Sequence, residues 1–215
     1  MSKLILFQGD SITDCGRSRD AANDYAGSGY AQLVKGALGF EAPEEYTFIN
    51  RGVSGDRIVD VYARIKLDII NLKPDYMSLL IGINDVWHEI SRQNGVAPEK
   101  FEKIYDMLLT EIKEALPDIK IMLLGAYVLE GPATCNTENT PDRWERFRRG
   151  AETNAAIAKR LAEKHGLLYI PLQEVFDKAA ENTEPTYWAA DGVHPTPMGH
   201  ELIKKEWLKG FEMIK

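Results

Sequence analysis

Three residues in two short segments have the types that activate a hydroxyl group. Gly9-Asp10-Ser11-Ile12-Thr13 contains a serine whose oxygen could attack a carbon centre. Asp191 and His194 lie three positions apart, so both can occupy one loop. The carboxylate could then accept from one ring nitrogen while the other faces the serine. These residue types predict nucleophilic attack on an acyl group, with histidine as the base.

Two further segments could supply hydrogen-bond donors for the negative charge that such an attack creates. The amide of Asn84, in Gly82-Ile83-Asn84-Asp85, can point an N–H group at a developing oxyanion. Gly52 and Gly55 would let backbone N–H groups approach a ligand closely. The sequence thus holds nucleophile, base, orienting acid and oxyanion donors.

Each segment also has a purely structural explanation when it is taken alone. Ser11 could sit in a simple turn, Asp56 could cap a helix, and Asn84 could form an Asx turn. Independent turns have no reason to supply a complete catalytic inventory, so the four segments together favour chemistry.

The chain alternates short apolar runs with longer amphipathic segments. Most of the runs are continuously apolar, as in strands that are covered on both faces. They span residues 4–8, 46–50, 75–81, 119–124 and 167–171.

Apolar residues at steps of three or four predict helices between these runs. The clearest span residues 98–116 and 142–165, and another begins near Pro197, with further helices after Gly29 and Asp56. Stretches without clear periodicity are expected to be loops, at 13–28, 86–97, 129–141 and 182–197.

Alternating strands and helices predict an α/β fold, a three-layer α/β/α sandwich with a mainly parallel, five-stranded sheet. The length of 215 residues suits a single domain over 1–215. In such a sheet the carboxyl ends of the strands line one crevice, where ligands bind. The four segments follow strands or lie in a late loop, so we expect them to meet there.

At this point the chain resembles the SGNH, or GDSL-type, hydrolases. Gly-Asp-Ser, a glycine after the second strand, Gly-x-Asn-Asp and Asp-x-x-His occur in the family's order. The resemblance implies a flavodoxin-like fold, with Ser11 as nucleophile, His194 as base and Asp191 as the orienting acid. It also implies an oxyanion hole formed by the backbone N–H groups of Ser11 and Gly55 with the Asn84 side chain.

A narrower resemblance is to intracellular acetyl-xylooligosaccharide esterases, which often form homo-oligomers. It is carried by the runs from Gly9 to Arg17 and from Ile81 to Trp87, and by Gly29-Tyr30. It implies a small acylated carbohydrate as substrate. Two departures bear on which one: Ala190 stands where some of these esterases have an aromatic residue, and the loop from Glu130 to Asp142 matches no family pattern.

Aromatic residues are candidates for sugar contacts, since their faces pack well on sugar rings. We consider Trp87, Trp188 and Tyr30 first, and then Tyr127 with Arg57. Packing in the core or at a rim is the alternative for each.

Composition excludes several classes of partner. The formal net charge of −7 disfavours binding to nucleic acid or to a polyanionic membrane.

The two cysteines form no C-x-x-C pair, and two free thiols are expected. Neither a signal-peptide core nor a membrane-length apolar run is visible, so we expect a cytoplasmic protein. We expect no cofactor, and no metal either, because His88-Glu89 lacks the H-E-x-x-H spacing.

Three other functions stay open. A lipolytic member of the same family, such as a lysophospholipase, thioesterase or short-chain carboxylesterase, would share the chemistry and differ in its pockets. A non-catalytic carbohydrate-binding module would not need the complete catalytic set. A nucleotide- or flavin-binding domain has the same kind of sheet, but no P-loop or G-x-G-x-x-G is present.

Overall fold

The computed structural model describes residues 2–20 and 22–215 and is built on one parallel sheet. The strand order is β2-β1-β3-β4-β5, which is the flavodoxin-like order. The strands are β1 (Lys3–Gly9), β2 (Tyr46–Asn50), β3 (Tyr76–Leu80), β4 (Lys120–Leu124) and β5 (Leu168–Ile170). Because every pair is parallel, all five strands end at the same edge.

Helices connect the strands and cover the sheet. They are α1 (Ser11–Asp14), α2 (Tyr30–Glu41), α3 (Ile58–Ala63), α4 (Ile65–Asp68), α5 (Ile83–Arg92), α6 (Pro98–Ala115), α7 (Arg143–His165), α8 (Leu172–Ala180), α9 (Pro185–Trp188) and α10 (Pro197–Ile214), with a 3₁₀ turn at Ile70–Leu72. Among the described residues, no helix has the length and apolar character that crossing a membrane requires.

Two hydrophobic clusters hold the layers together, one on each face of the sheet. Phe7 of β1 packs with Val34 of α2 and Trp207 of α10. Its neighbour Leu6 points the opposite way and packs with Leu108 of α6. Alternate side chains of one strand thus enter different layers, as the pleat requires. The predicted three-layer α/β/α sandwich is confirmed.

The predicted strands agree with the structure to within about two residues, but one predicted loop is largely helical. Residues 86–97 were expected to be irregular, yet α5 continues to Arg92. The apolar residues Ile83, Val86, Trp87 and Ile90 are spaced at i, i+3, i+4 and i+7, which is the period of an amphipathic helix, and the loop prediction overlooked this spacing. Within the expected loop 182–197, Pro185–Trp188 also form the short helix α9.

Candidate active site

The turn between β1 and α1 positions Ser11. A Cβ atom at Gly9 would collide with the carbonyl oxygen of Leu80 and the side chain of Thr13, so only glycine fits there. Asp10 then caps α1, because its Oδ1 accepts the N–H of Ile12 at 3.0 Å. Ser11 is the first residue of α1 and lies just beyond the carboxyl end of β1, next to the central strand β3.

A chain of hydrogen bonds joins Ser11 to the loop before α10. The Oγ atom of Ser11 is 2.9 Å from Nε2 of His194. Nδ1 of the same ring is 2.7 Å from Oδ2 of Asp191. With a proton on Nδ1, Nε2 is free to accept the serine proton, as a base must. Serine and histidine thus meet although 183 positions separate them.

Asp191 is held as a charged acceptor by its own loop. Its Oδ1 accepts the N–H groups of Val193 at 2.9 Å and of His194 at 2.8 Å. Burial raises the pKa of Asp191, but the bond from the His194 ring and the two backbone bonds outweigh it and lower the pKa to about 2. The carboxylate is therefore ionised throughout the neutral range.

The same carboxylate sets the basicity of His194. The hydrogen bond to Asp191 raises the pKa of the imidazole above 6.5, although partial burial acts in the opposite direction. The charges of Asp191 and Asp10 add to this increase. The ring is thus a stronger base than free histidine, since its protonated form is stabilised.

The segment 127–134 supports the Asp191–His194 loop from the end of β4. The N–H of Leu129 donates to the carbonyl oxygen of Gly192 at 2.8 Å. The hydroxyl of Tyr127 donates to the carbonyl oxygen of Val193 at 2.9 Å. Gly192 has a φ of +98°, and a Cβ there would lie 2.5 Å from Oγ1 of Thr134. The first part of the 130–142 loop is thus a support for the His194 loop.

The Gly55 and Asn84 segments meet beside Ser11. Ser11, Gly55 and Asn84 line one open cleft of about 250 Å³, here called the Ser11 cleft. Nδ2 of the buried Asn84 donates to the carbonyl of Asp56 at 3.1 Å, which orients the amide. Within the described residues its other N–H makes no hydrogen bond, so it can serve a ligand. Gly55 has a φ of +88°, a conformation that favours glycine, and open space lies where its Cβ would be.

Residues 7–202 match the model of the GDSL-like lipase/acylhydrolase family. The chain belongs to this family. The match extends from β1 into α10, so it includes all four segments that carry the candidate chemistry. The family's activity makes the protein a carboxylic ester hydrolase, which agrees with the prediction from its serine, histidine and aspartate.

Characterised relatives resemble this GDSL-like hydrolase over nearly its full length. An acetylxylan esterase from Geobacillus stearothermophilus is 32% identical over 98% of this chain and 95% of its own. The structure of Axe2, an acetylxylan esterase from the same organism, has a TM-score of 0.83 at 31% identity, over 97% of this chain and 93% of its own. LAE5, an α/β hydrolase enzyme from the metagenome of Lake Arreo, Spain, has a TM-score of 0.85 at 30% identity, over 100% and 98%.

The aromatic candidates divide between the cleft, the core and another surface. Trp87 lines the Ser11 cleft, with its ring 5.7 Å from that of His194. Tyr30 is fully buried and its hydroxyl lies 2.9 Å from Oγ1 of Thr13, so the expected sugar contact is wrong. Tyr127 is equally buried and stacks on Phe176. Neither ring has a face left for a ligand.

Trp188 lies outside the Ser11 cleft, so the predicted sugar contact beside the serine is wrong for this residue as well. Its indole N–H donates to Oγ1 of Thr183, and the ring borders a surface groove formed with Met198 and Leu202 of α10. This groove shares no residue with the Ser11 cleft. The short helix α9 ends at Trp188, before the chain turns into the His194 loop. Of the three aromatic residues considered first, only Trp87 borders the serine.

Sequence reasoning gave no role to Asp10, which lies directly beside the nucleophile candidate. Its side chain is buried, and its Oδ2 has no hydrogen-bond partner in the described protein. Burial raises its pKa to about 7, whereas the bond from Ile12 and the charge of His194 lower it. The Gly-Asp-Ser motif could have indicated this position, because the residue before the serine must turn inward where the strand ends.

Proposed function

We propose that this protein is a serine esterase that removes small acyl groups, above all acetyl groups, from carbohydrate esters. Ser11 is the nucleophile, His194 the general base and Asp191 the residue that orients it. The observation that carries the proposal is the continuous hydrogen-bonded path from the Ser11 hydroxyl through the imidazole to the Asp191 carboxylate. That path is the arrangement that activates a serine for acyl transfer.

In the first half of the reaction, Oγ of Ser11 attacks the ester carbonyl carbon as its proton moves to Nε2 of His194. The carbonyl π electrons move onto oxygen, which becomes an oxyanion. The imidazolium that forms is stabilised by the ionised Asp191. When the intermediate collapses, the bond to the sugar oxygen breaks and His194 returns the proton to that oxygen. The products are a free sugar hydroxyl and an acyl-Ser11 ester.

In the second half, water takes the place of the sugar hydroxyl. His194 accepts a proton from the water as its oxygen attacks the acyl carbon, and a second oxyanion forms. Collapse breaks the bond to Oγ of Ser11, which regains the proton from His194. The acid is released and the free serine is restored.

Donors around the Ser11 cleft are proposed to stabilise both oxyanions. They are the backbone N–H groups of Ser11 and Gly55 and the free N–H of Asn84. The fixed amide of Asn84, held by the Asp56 carbonyl, supports this role, because an oriented donor needs no reorganisation as charge develops.

Two observations support an acetylated carbohydrate as the substrate. The relative at 32% identity and Axe2 at 31% are acetylxylan esterases, and Axe2 is also described as an acetyl-xylooligosaccharide esterase. The Ser11 cleft is small and open, and polar side chains line it beside Trp87, namely Ser54, His88, Ser91 and Arg92. Such a cleft suits an acetyl group on a hydroxylated body better than a long acyl chain.

Three further properties are part of the proposal. The chain acts as a single domain over 1–215, which is supported by two clusters that pack on the faces of one sheet. It forms a homo-oligomer, supported by the exposed apolar side chains of Tyr187 and Met198. It is cytoplasmic. Light scattering during size-exclusion chromatography tests the oligomer, and a single monomeric peak would contradict it.

The nucleophile is tested with Ser11→Ala. The variant should lose hydrolysis of a chromogenic acetate ester and should no longer be labelled by a serine-directed phosphonate. Ser28→Ala is the matched control, because Ser28 is exposed and, among the described residues, its side chain hydrogen-bonds only that of Tyr25. Retained turnover in Ser11→Ala with an unchanged circular dichroism spectrum would refute the assignment.

The substrate is tested with a panel of acetylated xylooligosaccharides and aryl esters of two to eight acyl carbons. We expect kcat/KM to be highest for acetyl and to fall with chain length. A preference for octanoyl esters would favour the lipolytic function, while leaving the Ser11 mechanism intact.

A further inference from the structure

A second concave site lies behind helix α5, on the side away from Ser11. It is a cavity of about 680 Å³ between α5, the start of α6 and the first half of α7, here called the α5–α7 cavity. This volume is within the range of pockets that bind small molecules. It is larger than the Ser11 cleft, and the mechanism above uses none of it.

Helix α5 separates the two sites with opposite faces. Trp87, His88 and Ser91 line the Ser11 cleft. Val86, Glu89 and Ile90 line the α5–α7 cavity. At about 100° per residue the mean directions of these two sets lie roughly 150° apart around the helix. The cavity is thus a separate site that shares one wall with the catalytic cleft.

The interior of the α5–α7 cavity is largely apolar. Val86 and Ile90 of α5, Val96 and Pro98 before and in α6, and Ile104 of α6 contribute to its lining. Gly150 of α7 lies so close to Val86 that a Cβ atom there would be 2.6 Å from its Cγ1. The apolar lining would bury the hydrocarbon part of a ligand.

Positive charge surrounds this apolar lining, although the whole chain carries −7. Arg57, Lys100, Arg146 and Arg149 all line the cavity. Arg57 is paired with Asp60, and Arg149 has only an exposed contact of 3.6 Å with Glu145. In the described part of the chain, neither Lys100 nor Arg146 has a carboxylate partner.

The acidic groups of the cavity do not balance these cations. The lining has two carboxylates, Glu89 and Asp85, against its four cations, and Glu89 keeps its charge while its Oε2 accepts the N–H of Gly95 at 3.0 Å. Asp85 is buried and accepts the N–H of Ile58, and burial raises its pKa to about 7, which reduces its negative charge near neutral pH. The cavity therefore presents a net positive field, with Lys100 and Arg146 unpaired.

We propose that the α5–α7 cavity binds a small amphipathic anion, with its apolar body against α5 and its carboxylate, phosphate or sulfonate group between Lys100 and Arg146. The two cations make the anionic group necessary, and the apolar lining makes a hydrocarbon or ring body necessary. A neutral ligand of the same shape would leave the cations unpaired and would bind more weakly.

The test uses the fluorescent probe 8-anilinonaphthalene-1-sulfonate on the native enzyme. We expect saturable binding with a Kd on the order of 10–100 µM. N-phenyl-1-naphthylamine, which has the same rings without the sulfonate, should bind about five- to tenfold more weakly. Blocking Ser11 with a phosphonate beforehand should leave the probe bound, because the two sites lie on opposite faces of α5.

Amino-acid substitutions test whether the probe binds in the α5–α7 cavity. The double variant Lys100→Gln and Arg146→Gln should weaken binding of the probe about tenfold. Thr153→Trp, which places an indole ring in the cavity and reduces its volume, should also weaken binding. Arg160→Gln is the matched control, since Arg160 lies on α7 but pairs with Glu102 outside the cavity. Circular dichroism and the thermal midpoint confirm that each variant is folded.

Three results would overturn the proposal. They are the absence of saturable binding by the folded native enzyme, wild-type affinity in the double variant, and loss of the probe after phosphonate treatment. The last would place the probe in the Ser11 cleft. None of them bears on esterase activity, so this inference and the proposed function can fail independently.

Discussion

Replacing Asp191 by asparagine tests how the carboxylate controls the imidazole. Asp191 accepts three hydrogen bonds, from the His194 ring and from the N–H groups of His194 and Val193. In Asp191→Asn the amide oxygen can keep the two backbone bonds. Its NH₂ group then faces Nδ1 and favours the tautomer with the proton on Nε2, which can no longer accept the Ser11 proton.

Two magnitudes follow for this variant. Loss of the correct tautomer should lower kcat/KM by roughly 10³–10⁴. The change in the Asp191 pKa from 3.8 to about 2 would correspond to roughly 2 kcal/mol of folding stability. The side chain is 31% exposed and thus partly screened, so we expect about 1 kcal/mol.

The stability difference has a defined pH dependence. Because the folded pKa of Asp191 is depressed, its contribution is present above pH 3.8 and is lost as the pH falls toward 2. At pH 7 the thermal midpoint of Asp191→Asn should therefore lie roughly 2–4 °C below that of the wild type. The difference should disappear in strong acid.

The assays are steady-state hydrolysis of a chromogenic acetate ester and thermal unfolding, at neutral pH and in acid. Asp106→Asn is the matched control, because Asp106 also pairs with a histidine, His165 of α7, 2.7 Å away. His165 precedes β5, so this pair lies toward the sheet edge opposite Ser11. The reasoning would be refuted if Asp191→Asn lowered kcat/KM by less than tenfold, or if Asp106→Asn lowered kcat/KM as much as Asp191→Asn does.

Three other variants or conditions test the remaining parts of the site. Asn84→Ala should lower kcat roughly 10²–10³-fold with little change in KM; steady-state kinetics would exclude the oxyanion role if kcat were unchanged. In the wild type, kcat/KM should fall as the pH decreases through the raised pKa of His194, so the midpoint of the acid limb lies above 6.5; a profile flat from pH 5 to 9 would count against this base. Tyr127→Phe removes the donor to the Val193 carbonyl and should lower the free energy of unfolding by about 1–2 kcal/mol, as measured in urea; an unchanged midpoint would show that this bond does not hold the loop.

The sheet and the Ser11–His194–Asp191 arrangement could be predicted from sequence for a physical reason. Buried parallel strands must be apolar on both faces, so their runs are recognisable without an alignment. Their carboxyl ends share one edge, so polar residues that follow separate strands are brought together. Gly9 and Asp10 add a local signal, since one permits the close approach to Leu80 and the other caps α1.

The support of the His194 loop and the places of the aromatic rings could not be predicted. Leu129 and Ala133 hold the loop through backbone N–H groups, which every residue except proline has, so no side-chain pattern marks them. The residue type of Tyr30 allows a sugar contact and a core position equally. Only the packing of α2 against the sheet decides that its ring is buried.

The 183-residue separation of Ser11 and His194 has a consequence for how this chain becomes active. On the proposed mechanism, activity cannot arise in any partly folded form in which only the first strands have assembled, because the proposed base, His194, lies in the segment before α10. Non-local contacts of this kind form late and slowly compared with local ones. Esterase turnover during refolding therefore reports that the whole sheet and the segment before α10 have assembled. It should appear later than the recovery of the helical circular dichroism signal.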